Sequence, residues 1–409
     1  MDQTLFRKGF GLRRVIEGEL AADYHSALVA DLRARGSSLV LEGLEVRLAR
    51  EFGFCYGVDR AVEYAYETRA KFPDRRLVLV GEIIHNPHVN RRLVEMGIEI
   101  LQRAGGGEFD FPGITAEHVV ILPAFGVTKG DFDRLREMGC VIVDTTCGSV
   151  LNVWKRVESY ARDGFTAVVH GKYFHEETRA TASQVTKYPG GRYLVVRDMG
   201  EARLVCDFIE GRVGAEALLD RFRGACSEGF APARDLERIG VANQTTMLSS
   251  ESLAIAAEVR AAMVRRYGEA GAAARFRSFD TICSATQDRQ DAVLRLLDEG
   301  VDLALVIGGY NSSNTNHLAA LCAERVPTFH VADSECLDPD RGFIRHKPVG
   351  ASDEVATPGW LPDTRPLRVG VTAGASTPTN KVGELIERVF ATAGIPTERV
   401  AAEASLAPA

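Results

Sequence analysis

Gly53-Phe54-Cys55-Tyr56-Gly57-Val58-Asp59-Arg60-Ala61 sits between an extended apolar run, residues 46–52, and a strongly periodic segment. In that segment Val58, Ala61, Val62 and Ala65 fall at i, i+3, i+4 and i+7, the spacing of one buried helix face. One thiol, Cys55, is thus delivered at a strand-to-helix turn. Two further cysteines share the setting: Asp144-Thr145-Thr146-Cys147 follows the run 141–143, and Asp280-Thr281-Ile282-Cys283 precedes another helical segment. A helix N-terminus favours negative charge and lowers a thiol's pKa, which suits a thiolate ligand. Three thiolates without a fourth make an incomplete shell. An iron–sulfur cluster held this way keeps one iron open to substrate, whereas four protein ligands usually give a closed electron carrier. Spacing alone still favours the plainer alternative, eight buried structural thiols.

Outward from Cys55, short β-branched runs alternate with amphipathic segments, the rhythm of parallel sheets flanked by helices. Strands are expected at 77–84, 119–123, 141–143, 166–169, 193–196, 239–242, 303–307, 328–331 and 368–372, and helices at 58–70, 129–138, 151–162, 250–267, 288–298, 315–324 and 380–393. These are too many strands for one open sheet, so the chain divides into subdomains. Residues 1–45 read as an N-terminal extension with one helix at 21–35. A first α/β subdomain spans 46–147, its leading strand 46–55 also compatible with packing on the third. A second spans 148–280 with a helical insertion at 211–237, and a third spans 281–395. Residues 338–366 hold five prolines and read as a long surface connection. The Ala-rich tail, 396–409, is expected to fray.

The 409 residues, 45% hydrophobic, suffice for a large core, and the eight scattered cysteines form no CxxC pair, unlike a secreted disulfide framework. The other five, Cys140, Cys206, Cys226, Cys322 and Cys336, are taken as structural. No apolar stretch approaches bilayer length and no secretory core opens the chain, so a cytoplasmic protein is expected. A net charge of −7 and a pI near 5.8 argue against broad nucleic-acid binding.

The polar motifs cluster after strands, where α/β proteins bind ligands. His85-Asn86-Pro87 and His170-Gly171-Lys172-Tyr173-Phe174-His175-Glu176-Glu177-Thr178 each follow one, as do Gln244-Thr245-Thr246, the run from Gly308 through Asn311-Ser312-Ser313-Asn314 to Asn316, and Thr372-Ala373-Gly374-Ala375-Ser376-Thr377-Pro378. Small hydroxyl and amide side chains with free N–H groups at a helix start cradle phosphate without a Walker lysine. Each run alone is equally an ordinary turn or cap. Together with two histidines they point to a small phosphorylated or diphosphorylated ligand.

The set GFCYGVDRA, EIIHNP, DTTC, HEET, NQTT, DTICSATQDRQDA, NSSNTN and VTAGAS, in this order from about residue 46 to 388, resembles the 4-hydroxy-3-methylbut-2-enyl diphosphate reductase family of the non-mevalonate isoprenoid pathway. The Phe6-to-Gly11 lead, Pro123-Ala124-Phe125-Gly126 and the insertion near 211–237 resemble its longer plastid and cyanobacterial branch. The resemblance implies an α/β trefoil of three parallel-sheet subdomains around one 4Fe–4S cluster, held by Cys55, Cys147 and Cys283 with one open iron. It further implies that His85, His175, Thr245, Ser312, Ser313, Asn314 and Ser376 grip the diphosphate and that Glu177 is the acid that lets the C4 hydroxyl leave as water. Two-electron reductive dehydroxylation, with ferredoxin or flavodoxin as the donor, would give isopentenyl and dimethylallyl diphosphate. Two positions depart from the family pattern. Phe125 replaces a diphosphate-binding histidine, leaving His170 and Lys172 as neighbours that either substitute for it or serve structure. Gly148 replaces the usual proline after Cys147, which is expected to loosen that turn. The competing readings are a cluster-based sensor, or another three-cysteine iron–sulfur dehydratase or synthase, the latter needing carboxylate-binding arginines at strand ends that do not accompany these motifs.

Overall fold

The computed structural model describes residues 4–103 and 108–405. The chain forms two compact units, one built from its first residues with Phe72–Ile83 and Leu93–Cys283, the other from Phe10–Lys71, Ile84–Arg92 and the chain from Ser284 onward. Among the described residues no helix is long and apolar enough to cross a membrane.

The first unit carries two all-parallel sheets. One runs in the order Leu5–Phe6, Val141–Asp144, Val119–Leu122, Leu77–Val80, Ile98–Leu101; the other Phe276–Ser278, Ile239–Asn243, Thr166–His170, Tyr193–Val196. Their central strands, such as LVLV and VVIL, are buried at every position, as β-branched runs covered on both faces must be. Tyr160 seals the second core: its ring is fully buried and its hydroxyl donates to the Val241 carbonyl at 2.9 Å.

The second unit orders Thr328–Val331, Leu303–Ile307, Leu367–Ala373 and Leu44–Leu48 in parallel, with Ser38–Leu41 antiparallel at the edge. The strand that leads into Cys55 therefore pairs with the one ahead of Ser376, with Val46 opposite Val369. That pairing brings two chain-distant turns to the same end of one sheet.

Several local expectations are corrected. The helix at 21–35 is two helices, Arg13–Tyr24 and Ala27–Ala34, because the Ser26 side chain accepts the Val29 N–H and caps the second. Residues 338–366 are not a bare connection. They contribute most of an antiparallel sheet, Leu337–Asp338, Phe343–His346 and Val355–Pro358, pinned by buried Ile344 and Trp360. The helix expected at 250–267 is borne out, running from Ser249 to a break at Gly268, whose φ is 70°; a further helical stretch then continues to Arg275. The tail does not fray through 405: Thr397–Ser405 is a helix whose Val400 and Ala404 lie in the core, while residues 406–409 lie outside the described residues. The insertion carries two short helices, Ala215–Arg221 and Pro232–Asp235.

Candidate active site

In the first unit the ligand-type residues meet through Thr245. Its N–H donates to Glu177 Oε1 at 2.6 Å, and its carbonyl accepts the Cys283 N–H at 3.3 Å. Glu177 is 1% exposed, so its carboxyl group is carried in a low-dielectric setting on that backbone donor. It lies in the helix Glu176–Ser183, whose first turn is capped by His175: the Glu177 N–H donates to His175 Nδ1 at 3.1 Å. Because Nδ1 accepts, a neutral His175 ring carries its proton on Nε2. Phe125 stands edge-on to that ring, centroids 5.6 Å apart and planes at 80°.

Cys147 reaches the same neighbourhood from another strand. The strand Val141–Asp144 ends in a turn where the Thr146 N–H and hydroxyl both donate to Asp144 Oδ1, at 3.1 and 2.5 Å, and Arg7 Nε donates to Oδ2 at 3.2 Å. The Cys147 N–H then donates to the carbonyl of Ala124, the residue before Phe125, and Cys147 starts the helix Gly148–Arg162. Gly126, at φ 72°, has no room for a side chain because the Trp154 ring fills that space. Of the two neighbours weighed as replacements for the missing histidine, His170 is fully buried with Nδ1 at 2.8 Å from the Ser252 hydroxyl, a core role. The Lys172 N–H donates to Gln244 Oε1 at 3.3 Å, tying the loop to the strand end.

The second unit gathers the remaining residues. Cys55 precedes the helix Tyr56–Lys71, and its N–H donates to the Ala375 carbonyl at 3.2 Å. The Ala375 N–H in turn donates to Asn314 Oδ1 at 2.9 Å, and the Ser376 hydroxyl donates to the His85 carbonyl at 3.2 Å. Ser312 caps the helix Ser313–Ala323 by accepting the Thr315 N–H. Hence His85, Ser312, Ser313, Asn314 and Ser376, all nearly buried, share the carboxyl ends of the strands Leu303–Ile307 and Leu367–Ala373 with Cys55. Asn314 is 2% exposed, and its Nδ2 donor has no hydrogen-bond partner among the described residues. A buried amide donor left so costs on the order of 1–3 kcal/mol unless an acceptor arrives.

The cysteines divide in the same sense. Burial pushes the Cys206 and Cys322 thiols up to about 12 and raises those of Cys140 and Cys226, which keeps them neutral. Cys55, Cys147 and Cys283 are half-exposed, and each stands immediately before a helix. Three thiols at helix starts match the donor chemistry of an iron–sulfur cluster; Cys140, Cys206 and Cys322 are buried, and Cys226, though part-exposed, does not stand at a helix start. Sequence reasoning missed the carbonyls of Ala124 and Ala375, since backbone acceptors leave no residue-type signal, and the Arg7–Asp144 pair, whose partners lie 137 positions apart.

A family model described as LytB protein matches residues 46–390. The 4-hydroxy-3-methylbut-2-enyl diphosphate reductase of Gloeobacter violaceus is 48% identical over 398 residues, covering 96% of this chain and 94% of that protein. The reductase of the same name from Thermosynechococcus vestitus is 45% identical, covering 97% and 96%. A solved (E)-4-hydroxy-3-methyl-but-2-enyl diphosphate reductase, the terminal enzyme of the non-mevalonate pathway, is 26% identical with a TM-score of 0.51, covering 84% of this chain and 98% of that one. The Plasmodium falciparum E-1-hydroxy-2-methyl-but-2-enyl-4-diphosphate reductase shares the fold with a TM-score of 0.62 at 19% identity, covering 84% and 87%.

Proposed function

The chain belongs to the LytB protein family and is an oxidoreductase, and on that footing we propose that it reduces 4-hydroxy-3-methylbut-2-enyl diphosphate to isopentenyl and dimethylallyl diphosphate. Cys55, Cys147 and Cys283 hold one 4Fe–4S cluster, and ferredoxin or flavodoxin delivers the electrons. When bound, the cluster would relay the donor's two electrons and offer one iron not held by a cysteine.

The chain's own residues do the rest. The diphosphate lies against the Ser312–Asn314 helix start, where N–H groups, small hydroxyls and the Asn314 Nδ2 donor suit phosphate oxygens. His85, His175, Thr245 and Ser376 complete its shell. Glu177, protonated, gives one proton to the departing C4 hydroxyl so that water rather than hydroxide leaves, and the second proton of this two-electron, two-proton reduction goes to carbon, forming the new C–H bond. The Phe125 side chain has no group to donate to a phosphate; its edge contact holds the His175 ring in orientation.

The observation that carries this function is the double use of Thr245, which ties a buried carboxyl group to the backbone of a helix-start thiol. The test is turnover of the diphosphate by anaerobically purified enzyme with a reduced artificial dye. Glu177→Gln should lower kcat by about 10²–10⁴-fold, the range for a positioned general acid, with KM changed far less. Unchanged kcat in that variant would remove Glu177 from the chemistry.

A further inference from the structure

Arg289, in the helix Ser284–Asp298, is 4% exposed, yet all its hydrogen bonds go to backbone carbonyls. Nε and Nη2 both donate to the Gly53 carbonyl, at 3.2 and 2.6 Å, and Nη1 donates to the Ala285 carbonyl at 2.8 Å. Among the described residues no carboxylate forms an ion pair with it. A guanidinium is always charged, and buried charges are paired in nearly every folded protein because an unpaired one is costly. Two carbonyl dipoles soften that cost without neutralising the charge.

The position of this cation is specific. Gly53 lies two residues before Cys55, and its carbonyl is aimed by a φ of 77° that a side chain would strain, with the Thr377 carbonyl 3.2 Å from where a Cβ would stand. The Gly53 N–H donates to the Ala373 carbonyl and the Cys55 N–H to that of Ala375, so the whole turn is fixed. Arg33 offers an internal contrast: its Nη2 donates to the adjacent Phe52 carbonyl at 3.2 Å, but its side chain is partly open to solvent and Glu51 supplies an opposite charge nearby.

We propose that Arg289 is a positioning residue whose missing counter-charge is the anionic thiolate-held cluster at Cys55, and that its buried charge raises the cluster's reduction potential while its fork holds the Cys55 turn. The inference rests on the cluster assigned to Cys55, Cys147 and Cys283 above. A fixed positive charge stabilises the more negative, reduced form, and net local charge is a recognised determinant of cluster potential.

Potentials are measured by redox titration followed by electron paramagnetic resonance, on anaerobically purified wild type, Arg289→Gln, Arg289→Lys and Arg33→Gln, after iron and sulfide counts. Wild type without iron would sink the cluster assignment itself, independently of Arg289. With the cluster present, Arg289→Gln should lower the reduced-to-oxidised ratio at fixed potential at least tenfold, about 59 mV for one electron. Arg289→Lys and Arg33→Gln should stay near wild type. An unshifted glutamine variant overturns the proposal. Where the glutamine variant holds no cluster, the lysine variant decides: a wild-type potential supports the charge, and a reduced-to-oxidised ratio lowered tenfold or more at fixed potential overturns it. Loss of the cluster in both marks a purely structural clamp and equally overturns it.

Discussion

Gly148, which stands where the resembled family carries proline, follows a turn that is held on both sides. A glycine after Cys147 reads as a loosened turn; the Cys147 N–H donates to the Ala124 carbonyl and the Thr145 hydroxyl to that of Leu122. A Cβ at 148 would meet nothing within 4 Å, and Cys147 sits at φ −60°, ψ 140°, the extended conformation that a residue before proline requires. Gly148→Pro at this first helical position should therefore raise stability by about 0.4–1 kcal/mol, read from denaturant unfolding. Destabilisation would mean the turn relies on glycine freedom after all. The three cysteines before helices were legible because strand, turn and helix leave a local pattern. Arg289 was not: its bond to Gly53 spans 236 residues of sequence. Phe125 could be flagged as a departure, but its edge contact with His175 could not.

Elements were legible where burial is continuous and obscure where they are short or edge-bound. The central strands announced themselves as β-branched runs. Leu5–Phe6, Ser38–Leu41, Ile98–Leu101 and Phe276–Ser278 did not, since two to four residues carry too little periodicity. The Ala-rich tail looked frayed because its helix offers only Val400 and Ala404 to the core, yet both are fully covered. Val400→Ala should cost about 2 kcal/mol by denaturant unfolding, whereas a frayed segment would lose almost nothing.

The strand Thr328–Val331 carries a pH-sensitive group. His330 is buried, its Nε2 lies 3.0 Å from the Gly308 carbonyl just ahead of the Ser312 loop, and burial, aided by Lys347 and His346, lowers its pKa to about 4. The folded pKa lies below the unfolded value near 6.5, so between those values the unfolded chain binds more protons. Stability is then fully present above pH 6.5 and declines as pH falls towards 4, by up to about 3 kcal/mol. Thermal melts across that range should show the slope, and His330→Gln should flatten it; equal slopes would remove His330 as the cause.

At the scale of the whole molecule, a parallel α/β chain of net charge −7 was readable from composition and rhythm alone. The pairing of Leu44–Leu48 with Leu367–Ala373 was foreshadowed only as a compatible alternative, because register between strands more than 300 residues apart leaves no local mark. That pairing matters to the site, since it sets Cys55 beside Ala375, Ser376 and Asn314. One cluster shared by three thiols is the claim on which substrate binding, proton delivery and the role of Arg289 all depend. Iron and acid-labile sulfide counts on anaerobically purified wild type, Cys55→Ser, Cys147→Ser and Cys283→Ser test it directly. The wild type should carry one 4Fe–4S cluster per chain and each variant should lose most of it; full retention in any one variant, or an iron-free wild type, would contradict the shared shell.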